Sequence, residues 1–441
     1  MKIAWYSPFS QRSAIAAFSV EVVEALQSFG HDVTIVRSEM GDSSWAATCR
    51  PASCEVVDAE DIDNHLNQFL SRFDTVIYNV GNHIENHYYC LKHQARFPGV
   101  TLLHDFILHH LLHEWAILVE KKSYFDLFRL EASSEALKAF TRASADLGRL
   151  WFMSEAAKHP VLRFALADTL GVVTHAKFYA APCEAKLHCP VTTIPLAYPC
   201  EFEKQLPPPQ QGGAKSRVIT IGDVNVNKRC ESVIRALGNS ARHSKKWQYR
   251  VIGNIGDSYR KYLMELANNA PHKVDLELLG KVDEATLQDE LKHANAISCL
   301  RYPVVEGASA SIILSLASAR PTLVSRGGCY DDIPDHLVYR IGYEREVEDL
   351  EAAFINLEQD YHSAVQQGVK ARHWASNRHS GEQYARKLLL FLGMVAGPSP
   401  ILRLADSVGK HLTCWNCSSD LPLIDEIEGE IVSLFGDPWA K

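Results

Sequence analysis

Cations in the second half of the chain follow a short apolar segment that predicts a strand. Residues 217–221 lead into Gly222, and Lys228 and Arg229 stand where the next helical pattern begins. Glycine lets a backbone approach a ligand closely, and a helix N-terminus beside two cations suits an anion. A solvated basic pair explains the same residues equally well. This segment is therefore consistent with either a phosphate site or an ordinary solvated surface.

A second segment, residues 299–311, carries one acid among small residues. A predicted strand reaches Leu300, Arg301 follows it, and Glu306 precedes a helical pattern opened by Gly307, Ala308, Ser309 and Ala310. Free N–H groups at a helix start bind phosphate or sugar hydroxyls, and a carboxylate accepts hydroxyls. A structural helix cap is the alternative. A further strand-end loop is expected on the same rim, at Gly280, Lys281 and Val282.

In the first half, a histidine directly follows a predicted strand. His104 and Asp105 come after residues 100–103, and a similar strand-end loop holds Gly81 and Asn82. A histidine at the carboxyl end of a strand is expected to face the cleft and to form hydrogen bonds there. His109 and His113 have the i, i+4 spacing of metal ligands, but the sequence offers no third ligand at a recognisable offset. We therefore expect no metal site and no cofactor.

Strand and helix patterns alternate along the chain and predict two doubly wound α/β domains. Short connections between strands and helices favour parallel sheets, and ligands bind such sheets at the carboxyl ends of the strands. The predicted divisions are an N-terminal domain at 1–205, a linker at 206–216, a C-terminal domain at 217–395 and a tail at 396–441. Residues from about 106 to 168 predict a helical insertion over the first sheet. An acceptor-side or membrane-proximal surface is the alternative for that insertion.

Composition limits the function classes. The 441 residues carry a formal net charge of −8 at pH 7, which disfavours a dominant nucleic-acid surface. No apolar run approaches the roughly 18–20 residues that span a bilayer. The 11 scattered cysteines fit reduced thiols of a cytosolic protein, and we interpret Cys414 and Cys417 as packing or surface residues over a redox or zinc pair. We expect a cytoplasmic protein, with peripheral contact at the inner face of the membrane left open.

Taken together, these segments resemble the family 4 glycosyltransferases, which have the two-domain GT-B fold. The resemblance extends to about residue 395 and rests on an ordered set of segments rather than on one motif. In the first half these are residues 2–8 (KIAWYSP), 78–82 (YNVGN), 98–105 (PGVTLLHD) and 173–175 (VTH). In the second half they are residues 222–229 (GDVNVNKR), 300–303 (LRYP), 320–325 (RPTLVS) and 332–335 (DIPD).

The resemblance implies retaining, metal-independent transfer of a sugar from a nucleotide-sugar, UDP- or GDP-linked, to a glycan or lipid-linked acceptor. His104 and Glu306 would then be the catalytic residues. The donor would be bound by Gly222, Lys228, Arg229, Gly280, Lys281, Val282, Arg301, Gly307, Ala308, Ser309 and Ala310. The acceptor side would include Ser13, Ala14, Gly81, Asn82 and Asp105. Lys228 and Arg229 would neutralise the diphosphate as it gains charge.

Three departures from the family pattern bear on activity. The second acid of the E-x7-E motif falls on Leu314, although LRYP-type relatives also tend to lack it. Relatives usually carry Gly-Glu where this chain has Glu306 and Gly307. The N-terminal loop, residues 12–17, has no glycine, and the methyl group of Ala14 is expected to crowd a bound ligand. A non-catalytic relative that binds a partner or a nucleotide-sugar is therefore the alternative. A dinucleotide enzyme is disfavoured because no G-x-G-x-x-G segment follows the first strand.

Overall fold

The computed structural model describes residues 1–11, 13–41, 49–129, 131–143, 158–187, 189–199, 215–304 and 306–396, with the side chains of 139–143 excepted, and a few isolated positions beyond them. Within these ranges the chain forms two parallel sheets. The predicted linker falls largely in the undescribed stretch 200–214. The predicted tail, including Cys414 and Cys417, also lies outside the described ranges.

The first sheet has seven strands in the order β3-β2-β1-β4-β5-β6-β7, and the described pairings are parallel. Its strands are β1 (Lys2–Ser7), β2 (Asp32–Arg37), β3 (Val56–Asp58), β4 (Thr75–Val80), β5 (Gly99–Leu103), β6 (Thr169–Thr174) and β7 (Val191–Thr193). Near-continuous apolar runs such as IAWY in β1 are buried on both faces, as parallel strands between helices must be.

The second sheet has six strands in the order β10-β9-β8-β11-β12-β13, again with parallel pairings. Its strands are β8 (Ser216–Ile221), β9 (Trp247–Ile252), β10 (Asp275–Gly280), β11 (Ala296–Cys299), β12 (Thr322–Ser325) and β13 (Tyr339–Ile341). The strand order reverses between β8 and β11, which is the switch point where open α/β sheets bind ligands. The prediction of two Rossmann-like domains is confirmed.

Helices cover both sheets. In the first half they are α1 (Ala14–Ser28), α2 (Ala59–Ile62), α3 (Leu66–Leu70), α4 (Ile84–Gln94), α5 (His109–Trp115), α6 (Tyr124–Phe128), α7 (Ser134–Ala143), α8 (Leu162–Leu166) and α9 (Ala180–Lys186). In the second half they are α10 (Cys230–Gly238), α11 (Ala241–Lys246), α12 (Asp257–Asn268), α13 (Glu284–His293), α14 (Ala310–Ala317), α15 (Glu346–Gln359), α16 (Tyr361–Arg378) and α17 (Gly381–Ala396).

The predicted helical insertion consists, in its described part, of several short helices. A π-helical turn at Ala116–Glu120 ends at Lys121, whose φ of 53° is left-handed and stops the helix. Ser123 then starts α6 with a capping box in which Asp126 is the second partner. Residues 144–157 of the predicted insertion lie outside the described ranges.

Helix α17 packs against the first half although it belongs to the C-terminal part of the chain. Tyr384 and Phe391 are buried in the core cluster that also holds Phe18 of α1. A Cβ on Gly171 of β6 would lie 2.9 Å from Val395, so the strand and helix are in close contact. One apolar core therefore continues through both halves. None of the helices in the described part of the chain is both long and apolar enough to cross a membrane.

Candidate functional site

Residues of both halves meet at the carboxyl ends of their strands. In the first half, Gly81 and Asn82 follow β4, and His104 and Asp105 follow β5. In the second half, Glu306 lies in the loop between β11 and α14 and forms an isolated antiparallel bridge with Asp105. Because parallel strands end at one edge of a sheet, the two topologies bring distant sequence segments to one contact.

His104 is buried and neutral. Its Nε2 lies 2.8 Å from Oδ1 of Asn79, and the amide nitrogen of Asn79 donates to the carbonyl oxygen of Tyr6 at 2.6 Å. A carbonyl can only accept, so the Asn79 amide is fixed with its oxygen towards His104, and Nε2 of His104 must carry the proton. Burial places the pKa of His104 well below 6.5, and the neighbouring His175 lowers that pKa further. The ring nitrogen Nδ1 therefore has a lone pair at neutral pH.

His175 is a second buried histidine at this edge, and the sequence reasoning gave it no role in the site. Its ring lies 4.7 Å from that of His104, centroid to centroid. Nδ1 of His175 donates to the carbonyl oxygen of Ile194 at 3.1 Å, and burial lowers the pKa to about 4. Its Nε2 is buried and has no hydrogen-bond partner among the described residues. The sequence did contain a signal for this residue, because His175 directly follows β6 in the way that His104 directly follows β5.

Glu306 is held by two side chains of its own half. Oε2 forms an ion pair with Arg301 at 3.0 Å, and Oε1 accepts a hydrogen bond from the hydroxyl of Tyr330 at 3.0 Å. Asp105 faces this carboxylate from the other half, with Oδ2 accepting from the N–H of Asn82 at 2.9 Å. Burial raises the pKa of Asp105, and the charge of Glu306 adds to that rise. The site thus contains two carboxyl groups in different environments.

Gly307 makes a close contact between the halves. A Cβ at this position would overlap the carbonyl oxygen of His104 and would lie 2.8 Å from the hydroxyl of Tyr179. Only a glycine fits between these groups without displacing one half from the other. A cavity of about 30 Å³ beside this contact is lined by residues of both halves, including His175, Ala308 and Ser309. It has room for water but not for a sugar ring.

Lys228 is a buried cation at the carboxyl end of β8. Its side chain is 3% exposed, and its ammonium group donates to the carbonyl oxygen of Ile221 at 2.8 Å and to Oγ of Ser311 at 3.3 Å. Among the described residues, no carboxylate lies within ion-pairing distance of Lys228. Burial lowers the pKa of this ammonium group, and the nearby charge of Arg301 lowers it further. Gly222 leaves space for the charge, because a Cβ there would lie 3.0 Å from Nζ of Lys228.

Arg229 is placed differently from Lys228. Its backbone is left-handed, with a φ of 55°, and its guanidinium group forms an ion pair with Glu346 at 2.8 Å. Ser232 also donates to Glu346. The charge of Arg229 is therefore already balanced within its own half. A contact of Arg229 with a ligand stays a prediction that requires this ion pair to exchange.

Helix α14 begins beside Lys228. Ser309 is its N-cap residue, with no side-chain capping bond, and the hydroxyl groups of Ser309 and Ser311 lie 3.0 Å apart. Ala308, Ser309 and Ala310 thus precede or open a helix whose free N–H groups face the same region as the Lys228 ammonium group. The structure brings together Lys228, Ser311 and the start of α14.

A cavity of about 390 Å³ lies between the two halves, one turn further along α14. Its lining includes Leu314 of α14, Glu21 of α1 and Glu284 of α13. Gly280 ends β10, and Lys281 and Val282 lead into α13, where Lys281 is exposed and Val282 packs against the core. This loop, which is expected to bind the donor, therefore connects to a helix that lines the cavity.

The start of α1 is a capped helix end that contains no glycine. Ser13 is the N-cap residue of α1, and its hydroxyl accepts the N–H of Ala16 at 3.2 Å. Its φ of −78° is ordinary, and Ala14 is exposed. The local backbone needs no glycine here. Whether Ala14 crowds a ligand stays a prediction.

The solved structures of similar fold include glycosyltransferases. HepE from Anabaena, solved with UDP, matches with a TM-score of 0.60 and 12% identity over 89% of this chain and 100% of that one. Sucrose-phosphate synthase from Thermosynechococcus elongatus matches with a TM-score of 0.58 and 14% identity over 90% and 99%. The chain has the GT-B fold. WaaG, a glycosyltransferase of lipopolysaccharide biosynthesis, matches with a TM-score of 0.54 and 15% identity over 87% and 98%. No protein-family model and no curated protein sequence matches the chain.

Proposed function

We propose that this chain is a retaining glycosyltransferase, which moves a sugar from a nucleotide-sugar donor to an acceptor in cell-surface polysaccharide or glycoconjugate synthesis. The observation that carries the proposal is the buried ammonium group of Lys228. It lies at the carboxyl end of β8 beside the start of α14, and no described carboxylate lies within ion-pairing distance of it. A desolvated cation at a helix N-terminus is suited to an anion, and the diphosphate of a nucleotide-sugar is such an anion.

In this proposal the nucleoside of the donor lies beside its diphosphate on the protein. Ser311, which contacts Lys228, and Leu314, which lines the cavity of about 390 Å³, are three residues apart on α14. Residues three apart lie on one helix face and rise by about 4.5 Å. A diphosphate at Lys228 would therefore place its nucleoside in that cavity, near the loop of Gly280, Lys281 and Val282. HepE, solved with UDP and with UDP-glucose, supports a UDP-type donor for this fold.

The sugar would lie between His104 and Glu306. In the transition state the bond from the anomeric carbon to the diphosphate breaks, and Lys228 with the N–H groups of α14 stabilises the charge on the leaving group. Neutral His104 would form a hydrogen bond to the sugar without changing its protonation state. Retention of configuration and independence of a metal belong to this proposal through the family resemblance. Gly81, Asn82 and Asp105 would face the acceptor, and a cytoplasmic site of action is part of the same proposal.

A non-catalytic protein is the second candidate, and three contacts favour it. Glu306 is bound by Arg301 and Tyr330, Arg229 is bound by Glu346, and Gly307 touches the backbone of His104. With these contacts closed, the halves must separate to admit a donor and close again for transfer. A protein that kept this contact permanently would bind a partner or a nucleotide without turnover.

A thermal-shift panel followed by a hydrolysis assay tests the proposal. The purified chain is melted with UDP, GDP, ADP and dTDP and their common sugar conjugates, and any donor that binds is then followed for hydrolysis. We expect one nucleotide class to raise the melting temperature by mass action, and slow release of its sugar. Binding without hydrolysis, and without transfer to any acceptor screened, would support the non-catalytic candidate. A folded protein that responds to no nucleotide would contradict the glycosyltransferase and favour a non-catalytic protein that binds a partner chain.

A further inference from the structure

A cluster of metal-binding side chains lies on the acceptor-side rim of the first half, away from Lys228. It consists of His83, at the N-cap of α4, and His110 and Glu114, four residues apart on α5. One potential ligand atom from each residue lies within 4.8 Å of the other two. The sequence suggested a different pair, His109 and His113, but His109 instead contacts the hydroxyl of Tyr124. The third residue of the cluster, His83, comes from the loop before α4, 27 residues upstream of His110.

A neighbouring backbone group fixes which ring nitrogen of His110 carries the hydrogen in the neutral form. Its Nδ1 lies 3.2 Å from the carbonyl oxygen of Asn82. A carbonyl cannot donate, so Nδ1 carries a hydrogen, and in the neutral ring Nε2 has the lone pair. That nitrogen lies 3.2 Å from Oε1 of Glu114. Two lone pairs thus face each other across a hydrogen-bond distance, and this arrangement requires a cation between them, either a proton or a metal ion.

The other carboxylate oxygen of Glu114 and the ring of His83 also favour a metal ion over a single proton. Oε2 of Glu114 accepts the backbone N–H of Ile84 at 3.0 Å, which orients Oε1 towards His110. Nδ1 of His83 is buried and has no hydrogen-bond partner within the described ranges. A single proton between His110 and Glu114 would leave this third group unsatisfied. A metal ion would satisfy all three residues at once.

We propose that His83, His110 and Glu114 form a binding site for a divalent transition metal of the zinc class. Two imidazoles and a carboxylate are ligands that zinc accepts, at metal–ligand distances of about 2.0–2.2 Å. Tetrahedral geometry at those distances separates ligand atoms by about 3.4 Å, close to the 3.2 Å between His110 and Glu114. The hydrogen bond from His110 to the Asn82 carbonyl is the outer contact that metal-bound histidines usually make. Three protein ligands leave a fourth position for water or an acceptor oxygen.

The ion would connect two elements that position the acceptor side. His83 belongs to the loop after β4 that contains Asn82, whereas His110 and Glu114 belong to α5. Asn82 already joins these elements, since its side-chain oxygen accepts the N–H of Leu111 at 3.0 Å. The site is separate from the proposed diphosphate site and does not depend on it, so it assigns no metal to the leaving group.

Metal titration of the full-length chain tests the site without any activity assay. Protein stripped with a chelator is titrated with Zn²⁺ against a chromophoric competitor, and with Co²⁺ for its visible spectrum. The variants are Glu114→Gln, which keeps an acceptor for the N–H of Ile84, together with His110→Ala and His83→Ala. His113→Ala on the same helix is the matched control. Melting curves establish that each variant folds.

We expect the wild type and His113→Ala to bind one more tight Zn²⁺ per chain than the three ligand variants. Each ligand variant should lower the affinity for that Zn²⁺ ion by more than about 10-fold. Even the loss of an outer hydrogen-bond partner lowers metal affinity by about 10–100-fold. Equal Zn²⁺ binding by the wild type and folded Glu114→Gln would overturn the site and leave a proton between His110 and Glu114. A Co²⁺ spectrum dominated by thiolate charge transfer would overturn it as well, because the ion would then lie at cysteines.

Discussion

At the residue scale, Lys228 is the group on which the donor site depends most. Replacing Lys228 with alanine removes a charge-assisted contact worth about 1.5–3 kcal/mol, so we expect nucleoside diphosphate to bind about 10–100-fold more weakly. Lys121→Ala is the control, because Lys121 is exposed at the end of the π-helical turn. Isothermal titration with the nucleotide found in the thermal-shift panel provides both affinities. Equal losses for the two variants would contradict the placement of the diphosphate.

His104 is expected to act on turnover more than on donor affinity. In His104→Ala, we expect kcat to fall about 10–100-fold, the range of one buried hydrogen bond, while the affinity for nucleoside diphosphate changes little. Because burial keeps the pKa of His104 well below 6.5, this effect should be constant between pH 6.5 and 8. Steady-state transfer or donor hydrolysis at several pH values measures it, with His293→Ala on the exposed face of α13 as control. Unchanged turnover would remove His104 from the catalytic residues.

The sequence predicted where these residues lie but not what they contact. His104 and Lys228 were found because each follows a recognisable strand, and strand ends share one edge of a sheet. The partner of Arg229 is Glu346, 117 positions away, and the amide that orients His104 is Asn79, 25 positions away. Such pairs depend on tertiary packing and have no local pattern. The same holds for His83 and His110.

At the scale of elements, the loop between β11 and α14 sets how closely the halves approach. A methyl group in Gly307→Ala would collide with the carbonyl of His104, so the halves could not reach the contact described. We expect turnover to fall at least 10-fold, with nucleotide affinity changed much less, because Lys228 and the cavity at Leu314 do not need that contact. Gly256→Ala is the matched control, since a Cβ there meets nothing within 4 Å. Equal kinetics for the two variants would show that closure at Gly307 is not required.

Helix α17 gives a stability prediction with a control on the same helix. Leu388 is fully buried against the first half, whereas Leu390 is 73% exposed. We expect Leu388→Ala to lower the free energy of unfolding by about 2–5 kcal/mol and Leu390→Ala to change it by less than about 0.5 kcal/mol. Urea unfolding measures both. Similar values for the two variants would mean that α17 does not pack on α1 in solution.

Some elements could not be predicted because their signals are short or depend on packing. β3 and β13 have three residues each, too few for an alternating or apolar pattern to stand out. Helix α17 has apolar residues at helical spacing, but this pattern does not show which half of the molecule they pack against. The two long alternations of strand and helix were clear because each extends over well over 100 residues.

At the scale of the whole molecule, hydrogen bonds of buried histidines join backbone segments of both halves. His379, at the end of α16, donates from Nδ1 to the carbonyl oxygen of Leu196 at 2.8 Å, and its own carbonyl accepts the N–H of Tyr198 at 3.0 Å. His87 and His175 donate in the same way to Asn79 and Ile194 within the first half. Each ring makes this bond in its neutral form, and burial disfavours a second proton in the folded state.

This arrangement predicts that acid destabilises the fold in a defined pH window. Burial lowers the folded-state pKa of His87, His175 and His379 to about 4, whereas an unfolded histidine has a pKa near 6.5. Above pH 6.5 both states are neutral and stability is complete. Between pH 6.5 and 4 the unfolded state binds protons that the folded state does not, so each histidine lowers the free energy of unfolding by up to about 1.4 kcal/mol per pH unit.

Replacing one of these histidines separates its contribution from the rest. His379→Asn retains an amide donor for the carbonyl of Leu196 but cannot titrate, so its free energy of unfolding should fall less steeply between pH 6.5 and 4.5, by up to about 1.4 kcal/mol per unit. Urea unfolding at intervals of half a pH unit measures the slopes, with exposed His272→Asn expected to follow the wild type. If His379→Asn and the wild type lose stability in parallel, the folded-state pKa of His379 is not lowered, which would contradict its burial between the halves.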